Sequence, residues 1–343
     1  MIWKTLYSQS SRDHGTLGHF KSLLNRTSFS KDPKKDVNAA VDFLLTVVKG
    51  HMLAAACQIL GVTKLDSKIN LPPGLDKSSI AQQYAYLRTI AAQVVDQCTL
   101  IEGALTGDSV IETKDGVFNY ARILCHFGSL IMEVRDTWGE AAGKRMIRCW
   151  RLLLPHFKVA DRRKYALEAL RLQFQIQATL SPHLAHQLTW NRFINTHGGL
   201  GHNIPCDLHN EHLNKLVKSI ITNQGPNFTE AAIQRAARSV TTLQAVIAKF
   251  DQQSNVPPIS NSHSTKSLEQ DVAKVVSTVL KQEILSVKPG RKHSSYPTLR
   301  TNPLWNWDLS KTEKWIESKK QDYYKYKGTV MEPEVNFDEM EDN

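Results

Sequence analysis

The stretch THGGLGHNIPCDLHNEHLNK, residues 196–215, places four histidines, a cysteine, an aspartate and a glutamate within twenty positions. Such side chains hold metals and move protons, and three readings are open to them. A helix over 208–221 sets His209 and His212 one turn apart, with Cys206 and Asp207 just before them and His202 on the preceding loop, a donor set suited to a metal ion. The spacing permits that site without demanding it, because HNEH separates its histidines by three positions where the HEXXH motif needs four. Asp207 and Glu211, four apart and so on one helical face, are instead the beginning of a catalytic hard-cation site of the Mg²⁺ type. Such sites draw further carboxylates from elsewhere in the chain, and Asp13 of SSRDHG and Asp42 are available. The third reading is packing. Glycines allow a tight loop, Pro205 stiffens it, and Asp207 caps a helix whose Leu213, Leu216, Val217 and Ile220 form an apolar face. His209 and His212 then sit beside that face and Glu211 pairs with Lys215, so packing accounts for more of the residues.

A second chemistry comes from charge. The 343-residue chain carries a formal net charge of +10, which implies a polyanionic partner only where the charge is clustered. It is clustered between Lys144 and Arg171, where Lys144, Arg145, Arg148, Arg151, Lys158, Arg162, Arg163, Lys164 and Arg171 face only Asp161 and Glu168. In RMIRCWRLLLPHF the spacing sets Arg145, Arg148 and Arg151 along one edge of a helix whose Ile147, Trp150 and Leu154 turn inward. That edge, with Arg162, Arg163 and Lys164, is the candidate nucleic-acid contact, and a plain solvated basic face is its rival. Further on, WNWDLSKTEKWIESKKQDYYKYK interleaves Trp305, Trp307, Trp315, Tyr323, Tyr324 and Tyr326 with lysines. The mixture suits base stacking and, equally, a helix docked on the protein's own surface. The final stretch, Val330 to Asn343, is acidic. GxSxG, Walker A and GxGxxG motifs are absent.

These groups need elements to position them. Apolar residues recur at helical spacing almost throughout, which predicts a mainly α, multi-helix globular domain with at most a short hairpin and a flexible C-terminal tail. Asp32 ahead of Pro33 starts a long helix that closes at Gly61, with Gly50 as a kink point. Its apolar centre is broken by Asp42, Lys49 and His51, which indicates a buried helix rather than a membrane span. Further helices are expected over 78–102, 117–137, 140–156, 162–179 and 182–195, the last with Ser181 as cap before Pro182. Asn227 and Glu230 have capping-box spacing ahead of another amphipathic helix, and GALTGDSVIETKDG, residues 103–116, is the place for the hairpin. The expected organisation is a helical domain over 3–251, a linker over 252–266, an outlying helix over 267–286 and a largely flexible tail over 287–343, basic and aromatic and then acidic. Five scattered cysteines without a CxxC pair, and a start lacking the pattern of a secretory signal, point to a soluble protein in a reducing compartment.

SSRDHGTLGHFKSLLNR, DPKKDVNAAVDFLLTVVKGHMLAA, RMIRCWRLLLPHFKVADRRKYALEAL, LSPHLAHQLTWNRFINTHGGLGHNIPCDLHNEHLNKLVK and IQRAARSVTTLQAVIAKFD together resemble an uncharacterised eukaryotic family, the domain of unknown function numbered 6589. The resemblance runs from about Trp3 to about Val256 and is most specific around Asp207. It brings no established activity. Longer members carry additional sequence ahead of this chain's start, and their scattered, multicopy character is similar to that of genes in transposable elements. The resemblance thus implies a truncated copy, which agrees with Trp3, Leu6 and Tyr7 already being amphipathic. In transposases of the ribonuclease-H-like class two early aspartates and a later helical carboxylate hold two divalent ions. Glu211 suits the third position, and the two earlier aspartates would lie upstream. The expected function is therefore a transposon-derived, nucleic-acid-associated helical domain without catalysis of its own, intracellular and nuclear, with DNA or RNA as partner, no membrane and no cofactor. One alternative is a helical protein-interaction module that binds other proteins. Another is a metal-dependent phosphoryl-transfer fragment, for which alone Mg²⁺ is expected.

Overall fold

The computed structural model of the chain describes residues 2–8, 10–26, 37–98, 115–196, 198–223, 225, 229–254, 268–297, 299, 304 and 307–327. Those residues are mainly α-helical. The helices are α1 (Ile2–Leu6), α2 (Leu17–Leu23), α3 (Val37–Ile59), α4 (Ile80–Cys98), α5 (Gly116–Gly139), α6 (Gly143–Val159), α7 (Arg163–Phe174) and α8 (Pro182–Trp190). After the strands β1 (Phe193–Ile194) and β2 (Ile204–Pro205) come α9 (Cys206–Asn223), α10 (Glu230–Gln253), α11 (Leu268–Lys281) and α12 (Leu309–Lys327). The two strands form an antiparallel hairpin pairing Phe193 with Pro205 and Ile194 with Ile204. The hairpin expected over 103–116 lies, except for Asp115 and Gly116, outside the described residues, as do the Asp32–Pro33 cap and Asn227. Ser181 does cap α8, its hydroxyl accepting from the Leu184 amide, and Thr229 caps α10 in the same way.

The core is built around α3. Its sequence is apolar on most sides, and Phe43, Leu44, Val47, Val48, Ala54 and Ala55 are all buried among residues of α5 and α11. Among the described residues α3 is the one helix long and apolar enough to cross a membrane by composition. Here that apolarity is spent on neighbouring helices. Two glycines set the distances. A Cβ at Gly50 would lie 2.4 Å from Val275 Cγ1, and one at Gly128 would lie 2.2 Å from Val48 Cγ2. Gly50 is therefore the place where α11 presses onto α3 rather than a kink point. The helix expected to stand apart is part of this core, because Val272, Val275, Val276 and Val279 make one apolar stripe that α3 covers.

The connector after α11 is docked, not loose. Asp115 caps α5, accepting from the amides of Val117 (3.0 Å) and Phe118 (3.1 Å), and also accepts from the Lys288 amide (2.7 Å) and Arg291 Nε (2.9 Å). Arg291 spends its remaining N–H groups on that carboxylate and on the carbonyls of Gln282, Glu283 and Ser286. Asp13 makes a parallel attachment, accepting from the amides of Ser294 (2.9 Å) and Ser295 (3.0 Å) and from Ser294 Oγ (2.9 Å). The cap of α2 is Thr16, whose Oγ1 accepts from the His19 amide. Burial by itself raises the Asp13 pKa, but its hydrogen bonds from Ser295 and Ser294 outweigh that and hold it at about 2. Tyr120 and Tyr296 both donate to the Leu6 carbonyl, at 2.5 and 2.6 Å, which ties the first helix to the same junction.

Two expectations follow. Arg291→Ala leaves the fully buried Asp115 side chain without its cation and should cost about 3–5 kcal/mol in urea unfolding, with Arg291→Lys recovering little because ammonium cannot reproduce the fork. A destabilisation within experimental error would contradict this account of the junction. The second concerns pH. Burial, opposed by a hydrogen bond to the Val47 carbonyl, pushes His51 down to about 4, and burial with the neighbouring His126 pushes His156 to about 4. The unfolded chain then binds these protons first, so stability should decline as pH falls from 6.5 toward about 4. Asp13 acts lower, its contribution fading between 3.8 and about 2. Urea midpoints measured across the upper window should drop, and should drop less in His156→Gln.

Candidate nucleic-acid interface

The histidine-rich motif folds into a loop and a helix start. Gly198, Gly199 and Gly201 take left-handed φ values of 74°, 79° and 78°, which lets the chain turn sharply between β1 and β2. Asn195 Nδ2 donates to the Gly199 carbonyl at 2.8 Å, and Asn203 Nδ2 donates to the Gly139 carbonyl at 2.6 Å, fixing the loop to the end of α5. Leu200 at the tip is 98% exposed. His202, Asp207, Glu211 and His212 are exposed and His209 is half-buried. Among the described residues no three His, Cys, Asp or Glu side chains come together as a metal-binding group, so the structure does not join His202, Asp207, His209 and His212, nor bring a third carboxylate to Asp207 and Glu211. Asp207 lies in the first turn of α9, where the helix dipole favours an anion, and faces the half-buried Arg192. Burial lowers the Arg192 pKa while Asp207 and Cys206 oppose that shift.

The basic cluster resolves into two groups. The inward face of α6 is Gly143, Met146, Cys149 and His156, one step round from the expected Ile147, Trp150 and Leu154, which are half-buried. Arg145 is turned away from solvent phosphates. Its Nε and Nη2 donate to Glu133 at 3.0 and 2.8 Å, Nη2 also to Asp136 at 2.5 Å, and Nη1 to Glu140 at 2.7 Å. The hydrogen bonds to Glu133 and Asp136 push its pKa up, and hydrogen bonding to Arg145 holds Glu133 below the ordinary glutamate range. Arg145 thus leaves the candidate contact set, satisfied by the carboxylates that edge a broad cleft of about 990 Å³ beneath the Leu200 loop. The missed signal was in the sequence: Glu133, Asp136 and Glu140 recur at helical spacing opposite the arginine.

Arg148, Arg151, Arg162 and Lys164 are exposed, and no described carboxylate lies within ion-pair distance of them. Arg163 pairs with Asp161 at 2.9 Å, both fully solvated. Lys144 is exposed beside them. The α6–α7 hairpin that carries these cations is held to α5 by buried contacts, including His156 Nε2 at 3.4 Å from His126 Nε2. The tail helix reaches the same place. Lys158 Nζ stands 4.0 Å from the centroid of the Trp315 ring, so Trp315 docks on the protein's own surface instead of offering a free stacking platform. Trp307 Nε1 donates to Thr312 Oγ1 at 2.8 Å, and Lys311, Lys319 and Lys320 pair with Asp308, Asp322 and Glu317. Trp305 and the acidic end lie outside the described residues, and the side chains of Tyr323, Tyr324 and Tyr326 are likewise undescribed.

Fold and surface together define a class: a mainly helical protein with a helical hairpin that carries exposed cations and with a connector gripped by two aspartates. The chain belongs to a family of unknown function, DUF6589, whose model matches residues 1–263. Neither a curated protein nor a solved structure matches it.

Proposed function

We propose that this protein is a nucleic-acid-associated helical protein without catalysis of its own, which binds phosphates through the α6–α7 hairpin. The observation that carries the reading is that Arg148, Arg151, Arg162 and Lys164, all on this hairpin, are exposed and that none of them forms an ion pair with a described carboxylate. Arginine presents a planar fork to phosphate oxygens, and releasing counterions from a polyanion supplies affinity that needs no base readout. Binding of this kind is indifferent to sequence, and either DNA or RNA serves. The mobile-element ancestry implied by the resemblance is in keeping with a phosphate-gripping surface.

A second reading rests on α10. Leu243, Val246, Ile247 and Phe250 are 47, 59, 57 and 65% exposed and form one helical stripe, the spacing with which a helix enters an apolar groove of another protein. Salt separates the two readings, because apolar association gains nothing from dilution of counterions.

The test is fluorescence anisotropy of the full chain with single-stranded and double-stranded DNA and with RNA over a salt series. Affinity should fall steeply with salt. Arg148→Ala with Arg151→Ala should flatten the log–log slope by about 2, roughly 0.9 per lost phosphate contact, while Arg145→Ala leaves the slope unchanged. No binding at low salt, or equal loss on removing Arg145, would rule out this interface.

A further inference from the structure

Two free thiols meet where α4 ends. Cys98 is the last residue of α4 and the only buried one in that helix, and it faces Cys125 within α5. Both side chains are wholly removed from solvent, and the Cys125 S–H donates to the Cys98 sulfur. Arg122, one turn before Cys125, completes the group. Its charge acts on both sulfurs, and its Nε–H is shut away from water without a hydrogen-bond partner. An interior N–H left unmatched is costly, and a thiolate beside it recovers part of that cost.

These surroundings divide the pair into two roles. The hydrogen bond from Cys125, helped by the Arg122 charge, outweighs burial and holds the Cys98 thiol below its ordinary value. The same hydrogen bond, together with burial, pushes Cys125 well up, so one sulfur is the nucleophile and the other keeps its proton. Burial raises the thiols of Cys57 and Cys149 instead. Position gives the pair a consequence. The early residues Ile80, Tyr84 and Leu87 of α4 are 72, 66 and 60% exposed. At its other end, Gln97 Nε2 donates to Gln58 Oε1 of α3 at 2.7 Å and Arg122 Nη2 to the Asp96 carbonyl at 3.4 Å. The thiols sit at that anchored end.

We infer that Cys98 and Cys125 form a reversible disulfide that staples the end of α4 to α5, with a hydroperoxide as oxidant and Cys98 as the attacking thiol. With hydrogen peroxide the Cys98 sulfur bonds to one oxygen, the O–O bond breaks, and the departing hydroxide leaves as water with the thiol's proton. The Cys125 sulfur then attacks the resulting Cys98 sulfenic acid. An S–S bond forms, the S–O bond breaks, and the second hydroxide leaves as water with the Cys125 proton. Two thiols and one peroxide give one disulfide and two waters. Oxidation waits on local opening at the end of α4, an event that costs less than unfolding the whole chain.

Peptide mapping tests the staple. The full chain is treated with hydrogen peroxide without denaturant, then blocked with N-ethylmaleimide in denaturant, digested and weighed by mass spectrometry. The expected product is a Cys98–Cys125 linked peptide pair, two hydrogens lighter than the reduced pair and separated by dithiothreitol, with Cys57 and Cys149 alkylated. The oxidised chain should unfold at a higher urea midpoint than the reduced one, because the cross-link restricts the unfolded chain. In Cys125→Ala, dimedone should label Cys98 as a sulfenic acid, whereas in Cys98→Ala it should leave Cys125 unlabelled. Absence of the linked pair in the parent, its formation only in urea that unfolds the chain, a midpoint no higher after oxidation, or labelling of Cys125 in Cys98→Ala each overturns the inference. The map and midpoint of the parent need no substitution, so they decide the matter even where an alanine variant folds poorly.

Discussion

The carboxylate of Asp115, wholly removed from solvent, is the constraint on which the arrangement turns. A buried anion is tolerable only when its lone pairs are met, and here they are met by the first amides of α5, by the Lys288 amide and by Arg291. One group therefore starts a helix and fixes a segment more than 170 positions away in sequence. Asp13 repeats the device with Ser294 and Ser295. Between them the two aspartates return the chain after α11 to its own beginning. The turn at Arg12–His14 and the cavity beside it exist because of that return.

The hydrophobic core explains why α11 is available to lead into this junction. Valines spaced along one face of α11 find α3, and Gly50 removes the side chain that would keep the helices apart. The same economy operates at Gly128 against Val48. Close helix packing gains many small dispersion contacts, and a single methyl group at either glycine would intrude on them. The core thus sets the position of the connector to within hydrogen-bonding reach of Asp13 and Asp115.

Charge is sorted by the same logic. Glu133, Asp136 and Glu140 surround Arg145 and leave no positive excess at that edge, whereas Arg148 and Arg151 on α6 and Arg162 and Lys164 around the start of α7 are exposed and outside any ion pair with a described carboxylate. A net charge spread evenly would confer solubility and little else, but cations held on a rigid hairpin create a local field that persists within a Debye length. Trp315 packing beneath Lys158 extends the hairpin's support and removes an aromatic ring from the pool of free contacts.

What the sequence by itself determined was local. Helical spacing of apolar residues made the chain mainly α, Ser181 before Pro182 announced the start of α8, the repeated glycines of THGGLGHN required a turn, and the segments around Asp207 already marked the family. Each of these depends on neighbours a few positions apart. The histidine cluster drew attention for the same reason, yet nearness in sequence did not bring its donors together, because α9 turns Asp207 and Glu211 to one side and His209 and His212 toward another, and His202 lies on the loop before it. Only tertiary structure decided that Arg145 belongs to Glu133, Asp136 and Glu140, that α11 is core, and that SRDHG meets GRKHSS across the length of the chain. Those outcomes depend on which buried charges find partners and which helices can approach closely. Both are settled by contacts between residues on different elements, and the spacing within each element, although periodic, does not name its partner.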